Sequence, residues 1–158
     1  MNSFYVSQLQ PPSLKAMLPI DGDPDSYRDY IYTGGGLYNE FNNNACVQCK
    51  NGKQVGGMMM GADVKELNTV DWIKGVKDNP FYDPAIYGPE GSLNISADYS
   101  KIEVPFFTHA NVQSGIHLRG TSEAFIHAAS KDKQFALLNE TGGMHGMGQF
   151  TKRYLDFF

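Results

Sequence analysis

Cysteine is nearly absent from this chain: Cys46 and Cys49 are the only two in 158 residues, which excludes a disulfide framework. Their Cys-x-x-Cys spacing is half of a zinc knuckle, but a structural zinc takes four ligands and no second pair exists. No thioredoxin-like strand leads into them, so neither a metal nor a redox role is expected. Positive charge is also short, with 13 Lys and Arg against 17 Asp and Glu, a formal charge of −4 and no basic cluster. The electrostatic footprint of a nucleic-acid or anionic-membrane partner is therefore missing. No window approaches the ~18 consecutive apolar residues of a membrane span. No charged segment followed by an apolar core opens the chain as a signal peptide would. These absences describe a soluble chain, cytoplasmic in expectation, that binds neither nucleic acid nor membrane.

What is present is ordinary globular material, 41% hydrophobic, 19% charged and rather aromatic at 13%. The length suits one domain spanning residues 1–158 that buries about two-thirds of its unfolded surface. The most informative stretch is 104–145. Residues 104–110, Val-Pro-Phe-Phe-Thr-His-Ala, read as a strand opened by a proline where a strand tolerates one. From Arg119 the apolar residues Ala124, Phe125, Ala128 and Ala129 recur at helical spacing, capped by Thr121 or Ser122. A second apolar run, 134–139, reads as another strand, and Thr141-Gly142-Gly143-Met144-His145-Gly146 follows it. Strand, helix and strand over so few residues predict one right-handed parallel crossover.

Elsewhere the pattern is thinner. Residues 1–10 read as a helix stopped by Pro11-Pro12, and 14–20 as a buried strand ended by Asp21-Gly22-Asp23-Pro24. Residues 25–32 predict a short helix capped by Asp23 or Asp25, closed by Gly34-Gly35-Gly36. The middle of the chain offers one convincing helix, 63–77, and residues 149–158 an amphipathic one. Met58-Met59-Met60 and the paired glycines around them read as loop.

Several of these segments together resemble the CocE/NonD hydrolases, serine enzymes of the α/β-hydrolase fold that include cocaine esterase and the X-Pro dipeptidyl-peptidases. The resemblance is carried by Val104-Pro105, by residues 110–116, and by His117-Leu118-Arg119-Gly120 with Glu123-Ala124-Phe125. It extends to residues 9–16, to Ser26-Tyr27-Arg28-Asp29 and to Asp98-Tyr99-Ser100-Lys101-Ile102, whereas residues about 36 to 90 match poorly. It implies a partial α/β-hydrolase, three parallel strands with flanking helices, carrying residues 37–102 as a cap insertion. The implied activity is hydrolysis of an ester or an X-Pro peptide or amide bond, with a small-molecule ester or peptide as substrate and no cofactor. The alternatives are a non-catalytic binding module and an inactive fragment of such a hydrolase.

His145 stands out among the four histidines because glycines on both sides leave its imidazole at a strand mouth, where a general base is needed. The triad order in this fold is serine, acid, histidine. The position matching the family acid holds Ser114, a neutral hydroxyl that cannot stabilise an imidazolium as a carboxylate does. Asp21, just past the first strand, is the substitute acid, and Glu123 is second. The bland alternative for Asp21 is a turn residue. No serine here stands in a Gly-x-Ser-x-Gly elbow, and the resemblance aligns the first helix with the one that follows that elbow in the family. The chain is thus expected to begin just after its own nucleophile and to be inactive alone. The strand through Met17 is expected to be a sheet edge, open to self-association.

Overall fold

A computed structural model describes residues 3–37, 72–113, 115–139 and 147–158 of the chain, and every structural statement below concerns these. His145, Ser114, Cys46, Cys49 and the three consecutive methionines lie outside the described residues. The architecture is mixed α/β. In order come α1 (Ser3–Ser7), a π-helical turn (Tyr27–Ile31), a 3-10 turn (Thr33–Gly35), α2 (Trp72–Asp78) and α3 (Pro84–Tyr87). A 3-10 turn (Tyr99–Lys101) then leads to β1 (Phe106–Asn111), α4 (Leu118–His127), β2 (Lys133–Leu138) and α5 (Met147–Phe157).

β1 and β2 pair in parallel from Phe106↔Lys133 to Asn111↔Leu138, with α4 as the crossover, as the spacing of 104–139 predicts. β1 is buried at all six positions, which requires cover on both of its faces. One face carries Phe106 against Phe4 of α1, Met17, Ile102, and Ala124 and Ala128 of the α4 region. Phe107 points the other way, against Ala136 and Leu138 of β2 and Tyr154 of α5. The sheet is the middle of three layers. α4 lies close to it because its buried side is made of small residues, Gly120, Thr121 and Ala124.

The expected strand at 15–20 is reduced to two isolated parallel bridges, Met17↔Phe106 and Ile20↔His109, on the side of β1 away from β2. Met17 exchanges main-chain bonds with β1, its N–H donating to the Pro105 carbonyl at 3.0 Å and its own carbonyl accepting from Phe107 N–H at 3.2 Å. The next such bond would come from residue 19, and Pro19 has no N–H to give. Pairing resumes at Asp21, whose N–H donates to the His109 carbonyl. The ladder is therefore two-stranded, with the 17–20 run as an interrupted neighbour.

One helix expectation is also corrected. The segment 25–32 closes a π-turn in which Tyr32 N–H donates to the Tyr27 carbonyl, not an α-helix. Trp72–Asp78 is helical, covering the later part of the expected 63–77 helix, and residues 63–71 lie outside the described residues. Residues 72–102 pack on that π-turn through Tyr27, Tyr30, Ile31 and Tyr32 against Val76 and Tyr87. The buried phenols keep their hydrogen bonds by reaching main-chain oxygens, Tyr27 to Pro80 and Tyr32 to Val76, each at 2.8 Å.

Phe4 joins α1 to the sheet. It is fully buried, meets Phe106 edge-on with ring centroids 6.0 Å apart, and packs over Gly22. Phe4→Ala should cost about 3–5 kcal/mol of stability in urea unfolding, as truncation of a buried aromatic does. A loss under about 1 kcal/mol would show that α1 is not part of the core.

Candidate functional site

Ligand chemistry in an open α/β sheet gathers beyond the carboxyl ends of the strands. Here that end is occupied by the loop after Ile20. It is unusually acidic, carrying Asp21, Asp23, Asp25 and Asp29, and all four are buried. Asp21 sits at φ +46°, in the left-handed region that aspartate tolerates better than most residues, so the chain turns sharply on leaving the sheet. Asp25 caps the π-turn, accepting the Arg28 N–H at 3.1 Å, and its backbone bridges antiparallel to Ser96.

The start of α4 supplies what these carboxylates need. Arg119 places Nη1 2.9 Å from Asp29 Oδ1 and 3.5 Å from Asp25 Oδ2, while Arg28 Nη1 lies 2.6 Å from Asp25 Oδ2. The Arg28 guanidinium also lies over the Tyr82 ring, 3.8 Å from its centre. Gly120 leaves no room for a side chain, because a Cβ there would collide with Asp29 Oδ2. Thr121 Oγ1 donates to the Gly22 carbonyl at 3.1 Å, and the Tyr30 hydroxyl lies 3.2 Å from His117 Nδ1. Asp23 accepts from Ser26 Oγ at 2.8 Å, and the Tyr5 hydroxyl of α1 donates to the Ile95 carbonyl beside it.

Two guanidiniums are thus shared among the carboxylates, and burial governs the remainder. Burial pushes the Asp23 carboxyl up from its ordinary 3.8 to about 8 against the Ser26 hydrogen bond, helped by the neighbouring charges of Asp29 and Asp25. Burial likewise raises Asp29 to about 6, although the Arg119 hydrogen bond and charge pull it down. The phenols of Tyr5 and Tyr30 are pushed up by burial and then by the acidic neighbours. His117 and His109 are held below the ordinary histidine value by burial, so both are neutral at pH 7. With its carboxyl raised to about 8, Asp23 is a proton donor at pH 7 in the same loop as the arginine-bound carboxyls of Asp25 and Asp29.

Of the residues expected to carry chemistry, Asp21 is at a strand end as required and buried. Glu123 is not: it lies on the half-exposed side of α4, with His127 Nε2 3.3 Å from its Oε2, and belongs to the surface. His109 is buried in β1 and stacked on Tyr154. The arginine-carboxylate network was missed by sequence reasoning, which took Asp23 and Asp25 for helix caps. The available signal was the acidic spacing of 21–29 combined with Arg119-Gly120. No group of three or more potential ligands capable of holding a metal occurs among the described residues. No helix among them is long and apolar enough to cross a membrane.

Comparison with protein-family models, with curated proteins and with solved structures returns no match to this chain.

Gly120→Ala should destabilise the fold by about 1–3 kcal/mol. That outcome opposes the ~1 kcal/mol gain that alanine brings to a helix interior, and a stabilised variant in urea unfolding would show that Asp29 has room to move. The second prediction concerns pH. A carboxyl whose folded pKa is raised contributes stability that is complete below its unfolded pKa and is lost as pH rises through the folded one. For Asp23 that window runs from about 4 to about 8. Asp23→Asn mimics the protonated group, so its stability relative to wild type should rise across this window by roughly 2 kcal/mol or more. A difference that is flat with pH would place Asp23 in water.

Proposed function

We propose that this chain is the distal part of an α/β-hydrolase domain of the CocE/NonD type, with residues 37–102 as its cap insertion. Its reaction is acyl transfer to water, by serine attack on an ester or X-Pro amide carbonyl. The observation that carries this reading is the order of parallel segments: the 17–20 run, β1 and β2 lie side by side, and each leads at its carboxyl end toward one expected site residue. Asp21 follows the first directly, Ser114 lies three residues past β1, and His145 seven past β2. The parallel crossover through α4 and the buried loop of aspartates support the same arrangement of sheet, helix and acid. In this reading His145 is the general base, and Asp21 holds its tautomer and stabilises the imidazolium.

The nucleophile and its oxyanion amides belong to an elbow that these 158 residues do not contain. The second reading, a binding module without turnover, keeps the same sheet and buried loop of aspartates. The two share one expectation for the isolated chain: hydrolysis of activated aryl esters at no more than an imidazole-like background, and no stoichiometric labelling by a fluorophosphonate. They part at the histidine. Under the hydrolase reading, Asp21→Asn removes the carboxylate that favours imidazolium, so the pKa of His145 in a histidine NMR titration falls. His145→Gln assigns the resonance. An unchanged His145 titration would remove Asp21 from the triad, and stoichiometric labelling of the isolated chain would overturn the missing nucleophile.

A further inference from the structure

We propose that the outer edge of β2 is a self-association surface, on which two copies of this chain pair antiparallel along Lys133–Leu138 about a two-fold axis at Phe135. The proposal stands on the edge itself and is independent of the hydrolase reading. Phe106 N–H donates to the Asp132 carbonyl and Val112 N–H to that of Leu138, which fixes the main-chain groups of the even-numbered residues of β2 toward β1. Those of Lys133, Phe135 and Leu137 then point away from the sheet. No described strand lies beyond them.

Edges of this kind are normally guarded by a proline, a bulge or a projecting lysine. β2 has no proline, and its register with β1 is unbroken over six residues. Its lysine is turned inward: Lys133 Nζ donates to the carbonyls of Ala128, at 2.7 Å, and Ile126, at 3.3 Å, and so caps the end of α4 instead of standing over the edge. Leu137, by contrast, is 55% exposed, and Ile126, beside Lys133, is 61% exposed.

The occupant follows from the symmetry of these positions. Outward groups at 133, 135 and 137 are evenly placed about Phe135, so a second copy running antiparallel opposes each donor with an acceptor. Phe135 then faces its own counterpart, and Leu137 of one copy lies across from Lys133 of the other. Since the axis is perpendicular to the sheet, both α4 helices remain on one face. Each exposed Leu137 is thereby brought to the aliphatic stem of Lys133 and toward Ile126 of the other copy. The Phe135 ring is already stacked on Phe125, 5.5 Å between centres, so it is held for this contact. Pairing converts two ladders of two strands into one of four, the size at which sheets are commonly found. The opposite edge is the poorer template, being interrupted at Pro19 and bent at Asp21.

The test is sedimentation velocity of the purified full chain across the micromolar range, with circular dichroism to confirm folding of each variant. Wild type should show a reversible monomer–dimer equilibrium. Leu137→Lys sets like charges directly across the dyad and should weaken the dimer at least about ten-fold. Leu137→Glu, which places a carboxylate opposite Lys133, should retain it. Ala16→Lys, on the other edge, should leave it unchanged. A wild-type chain that stays monomeric, a Leu137→Lys dimer of unaltered strength, equal loss in Leu137→Glu, or a dimer broken by Ala16→Lys would each overturn the proposal.

Discussion

A buried carboxylate must find a cation or keep a proton, and the placement of much of this molecule follows from how Asp25 and Asp29 meet that demand. Arg119 reaches both from the first turn of α4, and Arg28 closes on Asp25 from the π-turn. The contact joins segments 90 residues apart in sequence. It sets the height of α4 along the sheet, because Gly120 must lie against Asp29 for Arg119 to reach it. The parallel register of β1 with β2 is then held by the buried faces of the two strands, since a one-residue slip would turn Ala136 and Leu138 out of the core. Breaking such a pair from one side would leave charge stranded, which costs more than the pair itself contributes.

The same loop ties the layers together. Its acidic part answers to α4, its tyrosines answer to residues 72–102, and the backbone at 24–26 is stitched to 95–97 by Ser26 N–H to Ile95 and Ala97 N–H to Pro24. The loop after Ile20 is thus a junction where the sheet, the crossover helix and the middle segment meet. Such a junction suits a site: rigid elements hold the groups, and the strand ends leave them at the surface of the sheet rather than within it.

Most of the sheet was legible from residue pattern. The aromatic and β-branched run ending in Thr108-His109-Ala110 and the apolar run after Lys133 are strands, and the spacing of Ala124 and Ala128 marks the helix between them. The 15–20 segment was legible as extended chain, while its failure to form a ladder depends on which neighbour its odd-numbered N–H groups face. Pro19 is harmless on an outward edge and disruptive on an inward one. The π-turn was read as a helix because Tyr27, Tyr30 and Ile31 satisfy either period. The site was less legible still: aspartate before a helix is usually a cap, and Asp25 does cap, so nothing local distinguishes a cap from a cap that also binds a distant arginine.

What the sequence determined by itself is the β1–α4–β2 unit and the mixed α/β class, because side-chain periodicity acts within a few residues. Tertiary structure alone decided how far burial raises the Asp23 and Asp29 carboxyls, which N–H groups point to an edge with no described strand beyond it, and that His-Leu-Arg-Gly serves the loop of aspartates. These depend on burial and on partners about 90 residues away, and desolvation is a property of the surrounding volume, which no local pattern encodes.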